Sequence, residues 1–401
     1  MKSVQVSSRA ALRLRRGYPW VFDNQITRLD PGLAPGELVS VAGPSGQALG
    51  FAYANPRSVI TLRLLYTPAT GRGRSEGPDE ALEIGRKLDR ALSRRRALKL
   101  DSDAWRLVWS EADGLPGFVC DLYGRIAVVQ CLTAGAEQRR HWVADWLRTR
   151  LKPAGIFERS EGSGRAAEGL PPRREWLWTA GSGQMATACE IHEGPLRFEV
   201  DVAQGHKTGF YLDQRAARRR LRQARLQGRV LDGCAYTGGF SVSAASAGAS
   251  EVLAVDASAQ VLRQLARNAE LNGCADRIRP RAADLFKLLP EAVARKERFQ
   301  AVVLDPPPFA HARAELPSAL RGYRELNRRA AQLLEPNGLL LSCACSHAVS
   351  RKAFHTVVSA AVRQAGRRLQ AAEVFGPDED HPEKSQVPES RYLTCVWGRV
   401  V

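Results

Sequence analysis

The stretch RVLDGCAYTGGFSVSAASAGA, residues 229–249, joins an apolar strand to a helix through a glycine-rich turn. After it the chain continues with EVLAVDAS, AQVLRQLARNAELNG, FQAVVLDPPPFA and NGLLLSCACS. Strands of nearly continuous apolar character that alternate with helices of about ten residues or more predict an α/β fold with a doubly wound parallel sheet. Ligands bind such sheets at the carboxyl ends of the strands. We therefore expect the functional residues at those ends.

The first turn is rich in glycine but lacks the spacing of a dinucleotide-binding loop. Gly233, Gly238 and Gly239 let the backbone turn sharply and come close to a ligand, and the following helix offers its N-terminus. An NAD-binding loop would carry GxGxxG at this place. An NAD oxidoreductase is therefore disfavoured.

Acidic residues stand at the ends of successive strands. Asp232 ends the first strand, and Asp256, 24 residues later, is placed to bind a ribose diol. Asp284 is placed to accept a hydrogen bond from an adenine amino group. Acidic strand ends without a phosphate-binding loop suit a nucleoside that carries a positive sulfonium and no phosphate. The sequence therefore predicts S-adenosyl-L-methionine as the cofactor.

A polar and aromatic segment, then a basic one, precede this region in GHKTGFYLDQRAARRRL, residues 205–221. Gln214 and Arg215 are candidates to close over the cofactor. A plain entry helix is the alternative for this segment.

The fourth strand ends in VVLDPPPF, in which Asp305 precedes Pro306 and Pro307. The prolines hold the backbone extended and provide no N–H donor, so we expect the carboxylate to point into the cleft. Amino-methyltransferases carry a similar acidic or Asn-Pro-Pro element that holds the base. An Asp can hydrogen-bond to N3 of a cytosine, or in its acid form donate to it.

Two cysteines stand at the end of the strand LLLSCACS. Carbon 5 of a pyrimidine is a poor nucleophile, and its methylation needs a thiolate that first adds to carbon 6. Cys343 and Cys345 have the same parity and face the same side of the strand; Cys345 lies further out and is the predicted nucleophile. Cys343 as the nucleophile, or two inert core thiols, are the alternatives. His347 is a candidate to lower the thiol pKa, although a satisfied loop histidine is the favoured interpretation.

The chain is long enough for two or three domains. Short alternating strands predict a small β-rich domain at residues 1–70, and TPATGRGRSEGPDE at 67–80 predicts a linker. Strands mixed with two helical stripes predict an α+β domain at residues 75–190. The α/β domain takes residues 195–401.

The charge indicates a polyanionic partner. The chain has 59 Lys and Arg against 42 Asp and Glu, a net charge of +17, and the excess lies in the first hundred residues and in 201–300. An Arg-rich proteome with solvated arginines everywhere is the alternative.

Composition also excludes several classes of protein. No apolar run approaches the length of a membrane span, and the first residues lack the apolar core of a secretory signal, so we expect a cytoplasmic protein without membrane contact. The eight cysteines form no CxxC pair and no zinc-finger spacing, so no metal site is predicted.

Seven segments together resemble one family, the large-subunit (23S) ribosomal RNA cytosine-5 methyltransferases, over essentially the whole chain: GHKTGFYLDQR, CAYTGGFSVSA, VDAS, LDPPPFA, RGYRELN, SCACS and DHPEKSQVPESRYL. The resemblance implies an N-terminal PUA-like domain, a central α+β domain and a C-terminal Rossmann-like methyltransferase domain. In this family an Asp-Pro-Pro element combines with a cysteine in the later SCS-type element, whereas other RNA cytosine methyltransferases carry a cysteine beside the proline.

The resemblance also implies residue roles. Cys345 is the catalytic thiol and Asp305 its partner. The methyl donor is held by the loop 232–239, Asp256 and Asp284. Together with Gln214 from the preceding segment, the candidate cofactor-binding residues are Gln214, Asp232, Gly233, Ala235, Tyr236, Thr237, Gly238, Asp256 and Asp284.

The PUA-like part carries the candidate RNA contacts. The basic residues lie near an aromatic pair, Trp20 and Phe22, a composition suited to phosphate contact and base stacking. A solvated arginine cluster with core aromatics is the alternative. The candidate RNA-binding residues are Arg9, Arg13, Arg15, Arg16 and Trp20.

One position departs from the family pattern, since Pro308 stands where members commonly have Lys, which leaves open the contact that the Lys would make. Two rival functions stay open as well: a guanine amino- or ring-nitrogen methyltransferase with structural cysteines, and a non-catalytic RNA-binding assembly factor. The sequence leaves open the modified cytosine, the choice between naked RNA and an assembled subunit, and the oligomeric state, a homodimer included.

Overall fold

The computed structural model describes residues 1–67, 77–181, 185–310 and 313–401. The predicted linker at 67–80 lies largely outside the described residues. The chain separates into two compact units. The N-terminal unit comprises Met1–Ile191, Val200–Phe210 and Glu379–Ser390; the C-terminal unit comprises His192–Glu199, Tyr211–Asp378 and Arg391–Val401. The three predicted domains stay a prediction.

A six-stranded sheet forms the first part of the N-terminal unit, with strand order β2-β6-β5-β4-β1-β3. The sequence did not predict its one helix, α1, which begins after Ser7, whose side chain accepts from the Ala10 N–H. The helix buries Ala10, Ala11 and Leu14 and exposes Arg9 and Arg15. The elements are β1 Ser3–Val6, α1 Ser8–Arg15, β2 Trp20–Val21, β3 Ile26–Leu29, β4 Glu37–Ala42, β5 Ala48–Ala54 and β6 Leu62–Tyr66.

A five-stranded sheet of order β11-β10-β9-β8-β7 forms the second part of this unit. Strands β8 and β9 form a hairpin, since they pair antiparallel and Gly124 in the turn between them has a positive φ of 54°. Helix α3 connects the parallel pair β9 and β10. The elements are α2 Glu80–Ala97, β7 Ala104–Trp109, β8 Phe118–Tyr123, β9 Ile126–Cys131, α3 Ala134–Arg150, β10 Gly155–Ser160, α4 Ser163–Ala167 and β11 Arg173–Thr179. A two-stranded sheet, β12 Ala188–Glu193 and β13 Leu196–Asp201, follows.

The C-terminal unit is built on a seven-stranded sheet of order β16-β15-β14-β17-β18-β20-β19. Its elements are α5 Arg215–Arg222, β14 Arg229–Gly233, α6 Gly239–Ser246, β15 Glu251–Asp256, α7 Ala259–Leu271, β16 Ile278–Ala282, α8 Leu285–Ala294, β17 Phe299–Leu304, α9 Leu316–Leu333, β18 Leu334–Cys345, α10 Arg351–Gln364, β19 Leu369–Phe375 and β20 Leu393–Val400. Turns of 3₁₀ helix occur at Asp23–Gln25, Ser110–Asp113, Leu212–Gln214, Arg313–Glu315 and Pro388–Ser390.

Strands β14 to β18 run parallel, and this confirms the predicted α/β fold with a doubly wound sheet. The sequence did not predict β20, which pairs antiparallel with both β18 and β19. Strand β18 therefore has a neighbour on each side, and Leu340, Leu341 and Cys343 are fully buried. In the part of the chain that the structure describes, no helix is both long and apolar enough to span a bilayer.

Buried ion pairs fix the entry helix α5 within the C-terminal unit. The Arg218 guanidinium donates to both carboxylate oxygens of Glu193, and both side chains are almost fully buried. Burial alone would raise the pKa of Glu193, but the charges of Arg218, Arg215 and Arg222 outweigh it and hold that pKa below its usual value. Helix α5 is thus held by charge as well as by apolar packing.

We expect Arg218→Met to lower the free energy of unfolding by about 3 kcal/mol or more, because it leaves a buried carboxylate without its main partner. Urea denaturation measures the loss. Arg295→Met is the matched control: its ion pairs with Glu291 and Glu297 are about half-exposed, so it should cost under about 1 kcal/mol. Equal losses in the two variants would contradict a structural role for the Glu193 pair.

Candidate functional site

The predicted catalytic residues and the glycine loop collect at one edge of the C-terminal sheet. Gly233 pairs with Val255 on one side and Leu304 on the other, and Leu304 pairs with Ser342. Because these strands are parallel, the residues that follow these partners lie side by side at their carboxyl ends. Asp305 is tied to this edge, since its N–H donates to the Gly233 carbonyl at 3.1 Å.

The loop after β14 has a backbone that few sequences adopt. Cys234 and Tyr236 have positive φ angles of 65° and 49°, and Gly238 has 89°. Non-glycine residues in this region carry strain that tends to persist at functional sites. A Cβ on Gly238 would lie 2.7 Å from Leu265 Cγ, so packing as well as φ requires glycine there.

Asp232 lies beneath the loop and is fully buried. Its Oδ2 accepts from Ser241 Oγ at 2.6 Å, and its Oδ1 has no hydrogen-bond partner. Burial, with a smaller contribution from the Asp256 charge, raises the pKa of Asp232 to about 7. Thr237 Oγ1 is also buried without a partner. Two unsatisfied polar atoms under one loop fit a polar ligand that supplies their missing hydrogen bonds.

Asp256 and Asp284 stand at the next two strand ends, as predicted for ribose and adenine contacts. Asp256 accepts from the N–H groups of Tyr236 at 3.0 Å and Ser258 at 2.9 Å, which joins the loop to β15. Asp284 is exposed and caps α8 through the Phe286 N–H at 2.8 Å. A carboxylate has about four acceptor positions, so both acids can still accept from a ligand.

The reacting pair predicted from the sequence lies within contact distance. Cys345 Sγ lies 4.0 Å from Asp305 Oδ1, at the last position of β18, and both residues are partly exposed. Gln214 Nε2 donates to the same oxygen at 2.9 Å. The described hydrogen bonds of Gln214 thus lie at the reacting centre. Its assignment to the cofactor stays a prediction.

Burial separates the two cysteines of SCACS. Cys343 is fully buried, and burial raises the pKa of its thiol well above the usual value. Its Sγ lies 3.5 Å from the Sγ of Cys395, directly opposite on β20. A buried neutral thiol is inert, whereas a nucleophile must be accessible and ionisable. This difference favours Cys345 over Cys343.

Tyr211, an aromatic residue that the sequence analysis did not assign, lies near Asp305 and Cys345. Tyr211 packs edge-on against Tyr236 with ring centroids 5.2 Å apart. Burial, then the nearby charges of Asp305 and Cys345, raises the pKa of Tyr211 well above its usual value. Tyr211 belongs to the segment GHKTGFYLDQR, whose aromatic character was the available signal.

A second unassigned group flanks Asp284. Phe286 is 43% exposed and contacts Phe309, with ring centroids 5.8 Å apart; Phe309 packs on the buried Tyr323 at 4.7 Å. An exposed aromatic beside a strand-end acid suits the apolar face of a nucleobase. His347, by contrast, is exposed and packs against the ring of Tyr392 at 5.8 Å.

The predicted RNA-binding residues lie in the N-terminal unit and divide into two groups. Arg9, Arg15 and Arg16 are exposed. The Arg13 guanidinium stacks over Tyr18 at 3.8 Å, and Trp20 donates through Nε1 to Glu111 at 2.7 Å. Arg13 and Trp20 thus have structural contacts of their own. Among the described residues, no cluster of His, Cys, Asp and Glu side chains could hold a metal ion.

Comparisons with known proteins agree with this architecture. Residues 172–382 match the model of an S-adenosylmethionine-dependent methyltransferase family, and residues 4–67 match that of a PUA-like domain. The ribosomal RNA large subunit methyltransferase I of Cronobacter sakazakii is 36% identical over 390 residues, covering 95% of this chain and 94% of the relative. The enzyme of the same name from Erwinia tasmaniensis is 35% identical over 394 residues, covering 97% and 96%.

Solved structures show the same fold over the full length. A methyltransferase complexed with SAH superposes with a TM-score of 0.82 at 19% identity, covering 100% of both chains. A SAM-dependent methyltransferase from Streptococcus mutans superposes with a TM-score of 0.81, also at 19% identity and 100% coverage of both chains.

The raised pKa of Asp232 predicts a pH effect on stability. Its folded pKa of about 7 exceeds the unfolded value of about 3.9, so the folded state binds the extra proton and stability falls as pH rises between these values. Asp232→Asn keeps an acceptor for Ser241 and cannot titrate. Between pH 5 and 8 we expect wild type to lose about 1 to 3 kcal/mol relative to this variant in urea denaturation. Parallel curves for the two proteins would show that Asp232 is ionised when folded.

Proposed function

The chain belongs to the ribosomal RNA large subunit methyltransferase I family of S-adenosylmethionine-dependent enzymes, and we propose that it methylates carbon 5 of a cytosine in that RNA through a covalent cysteine adduct. The observation that carries the proposal is the pair Cys345 and Asp305, 4.0 Å apart at the sheet edge beside the glycine loop. A partly exposed thiol next to a carboxylate is the arrangement that pyrimidine activation needs.

S-adenosylmethionine, when bound, supplies the methyl group. We assign its binding to the loop after β14 and to the next two strand ends, with Phe286 beside the adenine. The unsatisfied Asp232 Oδ1 and Thr237 Oγ1 support this assignment. The residues that we propose to hold the cofactor are Asp232, Gly233, Ala235, Tyr236, Thr237, Gly238, Asp256 and Asp284. The sequence analysis also assigned Gln214 to the cofactor, but its described side-chain contacts lie at the reacting centre.

The chemistry at the base uses two residues. The Cys345 thiolate adds to carbon 6 of the cytosine, and this raises electron density at carbon 5 so that it can accept a methyl group. Asp305 in its acid form donates a hydrogen bond to N3, which holds the ring and stabilises the negative charge that develops there as the thiolate adds. After transfer, a base removes the hydrogen of carbon 5, and the thiolate leaves from carbon 6.

The proposed substrate fits the charge of the chain. Arg9, Arg15 and Arg16 are exposed and available for phosphates, and we keep Arg13 and Trp20 as proposed RNA contacts that also have structural partners. The cytosine must leave its stack to reach Cys345, so accessible, loosely structured RNA is the expected target. A ribosomal RNA substrate implies a cytoplasmic enzyme.

The proposal predicts a trapped adduct on RNA that contains 5-fluorocytidine, because fluorine at carbon 5 blocks the final hydrogen removal. Denaturing electrophoresis should show a covalent complex with wild type and with Cys343→Ala, and none with Cys345→Ala. The matched pair compares two thiols two residues apart on one strand. Full methylation of RNA by Cys345→Ala would exclude the thiol mechanism in favour of a guanine nitrogen methyltransferase.

The cofactor assignment predicts a binding defect. Asp256→Ala removes an acceptor for the ribose and also releases the Tyr236 N–H, so we expect affinity for S-adenosylmethionine to fall about 10-fold or more in titration calorimetry. Asp276→Ala is a control outside the proposed site. If wild type itself shows no binding at millimolar cofactor, the chain is better described as a non-catalytic RNA-binding protein.

A further inference from the structure

Gln214 is a buried amide that contacts three functional groups. It is 1% exposed and ends the 3₁₀ turn Leu212–Gln214 at the start of α5. Its Nε2 donates to Asp305 Oδ1 at 2.9 Å. Its Oε1 lies 3.5 Å from the Sγ of Cys395 and 3.9 Å from that of Cys343. The amide nitrogen therefore contacts a carboxylate oxygen, and the amide oxygen contacts two thiols.

The residues on either side of Gln214 are anchored. Asp213 accepts from the Tyr392 hydroxyl at 2.7 Å, and its carbonyl accepts from the Asp378 N–H at 3.0 Å. Arg215 donates to the Asp378 carboxylate at 2.7 Å, and both side chains are buried. The backbone of Gln214 is thus fixed from both sides, and its side chain starts from a rigid base.

The three residues that follow Asp305 cannot donate a backbone hydrogen bond to its carboxylate. An Asp in a loop commonly accepts from backbone N–H groups of the next few residues. Here the next three residues are Pro306, Pro307 and Pro308, and none has an N–H. The Gln214 amide is a side-chain donor to this carboxylate.

The two buried thiols decide which way the Gln214 amide points. Burial raises the pKa of Cys343 well above its usual value, so that thiol stays protonated and can donate. A thiol donor requires the amide oxygen as its acceptor, and this leaves the NH₂ group for Asp305. The reverse orientation would place the amide oxygen against the Asp305 oxygen.

We propose that Gln214 is a positioning residue, whose amide fixes the Asp305 carboxylate against Cys345 and is itself oriented by Cys343 and Cys395. The inference rests on the proposed function, in which Asp305 and Cys345 act on the base. It gives a role to Cys343, the inner cysteine of SCACS, which has no function when Cys345 is the nucleophile. It also places the amide at the reacting centre, whereas the sequence assigned it to the cofactor.

The test compares Gln214→Met, which keeps the length of the side chain and removes its donor, with Gln223→Met, the same change at the exposed end of α5. Loss of the hydrogen bond that holds Asp305 should slow adduct formation on 5-fluorocytidine RNA by about 10-fold. The affinity for S-adenosylmethionine should stay within about 2-fold of wild type. Gln223→Met should match wild type in both measurements.

Gln214→Glu is the second variant, and its pH profile separates positioning from simple structural damage. The introduced carboxyl group can donate to Asp305 when it is protonated and repels Asp305 when it is ionised, so the rate should recover as pH falls from about 8 to about 6. The titratable groups that contact this position are Asp305, Cys343 and Cys395, and Cys345 and Tyr211 lie near Asp305. Gln214→Met keeps all of these groups and adds no titratable group. Its rate should therefore change with pH in parallel to that of wild type.

Three results would overturn the inference. They are an unchanged rate in Gln214→Met, a cofactor affinity that falls in step with the rate, and a Gln214→Glu profile parallel to that of Gln214→Met. The second result would return Gln214 to the cofactor site.

A crystal structure of Gln214→Met separates this inference from the proposed function. If wild type forms no adduct, the proposed chemistry is wrong, yet the position of Asp305 can still be measured. We expect its carboxylate to turn away from Cys345 Sγ in the variant. A carboxylate that keeps its wild-type position would contradict the positioning role whatever reaction the enzyme performs.

Discussion

The pairing of β17 between β14 and β18 is the constraint on which the site depends. Gly233, Leu304 and Ser342 lie in one row across the three strands, so the residues just beyond them meet at one edge. The row brings together a glycine turn, a carboxylate and a thiol that stand far apart in the sequence. A shift of one residue in either pairing would turn Asp305 or Cys345 to the opposite face.

The same edge concentrates negative charge in a partly buried setting. Burial raises the pKa of Asp232 to about 7, and the charge of Asp256 adds to that effect. The pKa of Cys234, between them in the loop, is raised by burial and by Asp305, Asp256 and other acids. A cationic sulfonium relieves this crowding, whereas a phosphate would add to it. The negative charge of this edge therefore favours S-adenosylmethionine over a dinucleotide. The absence of a phosphate-binding loop in the sequence favours the same cofactor.

Much of the α/β unit could be predicted from the sequence because its strands are short, apolar and separated by amphipathic helices. The antiparallel strand β20 could not be predicted, because LTCVWGRV has no local signal for strand direction. Its direction is set by pairing with β18 and β19. Helix α1 was missed because SRAALRLR is mostly exposed and becomes a helix through its Ser7 cap and two buried alanines. At the site, strand parity indicated that Cys343 and Cys345 share a face. Burial, which separates them, is a tertiary property. The contacts of Gln214 depend on β17, β18 and β20 at once, and local spacing gave no sign of them.

The central claim is that Cys345 activates one cytosine of large-subunit ribosomal RNA. Bisulfite sequencing of that RNA from a strain that lacks the gene tests it most directly. The account predicts that one 5-methylcytosine disappears, returns when the wild-type chain is supplied, and stays absent when the supplied chain carries Cys345→Ala. An unchanged methylcytosine pattern in the deletion strain, or full restoration by the variant, would contradict it.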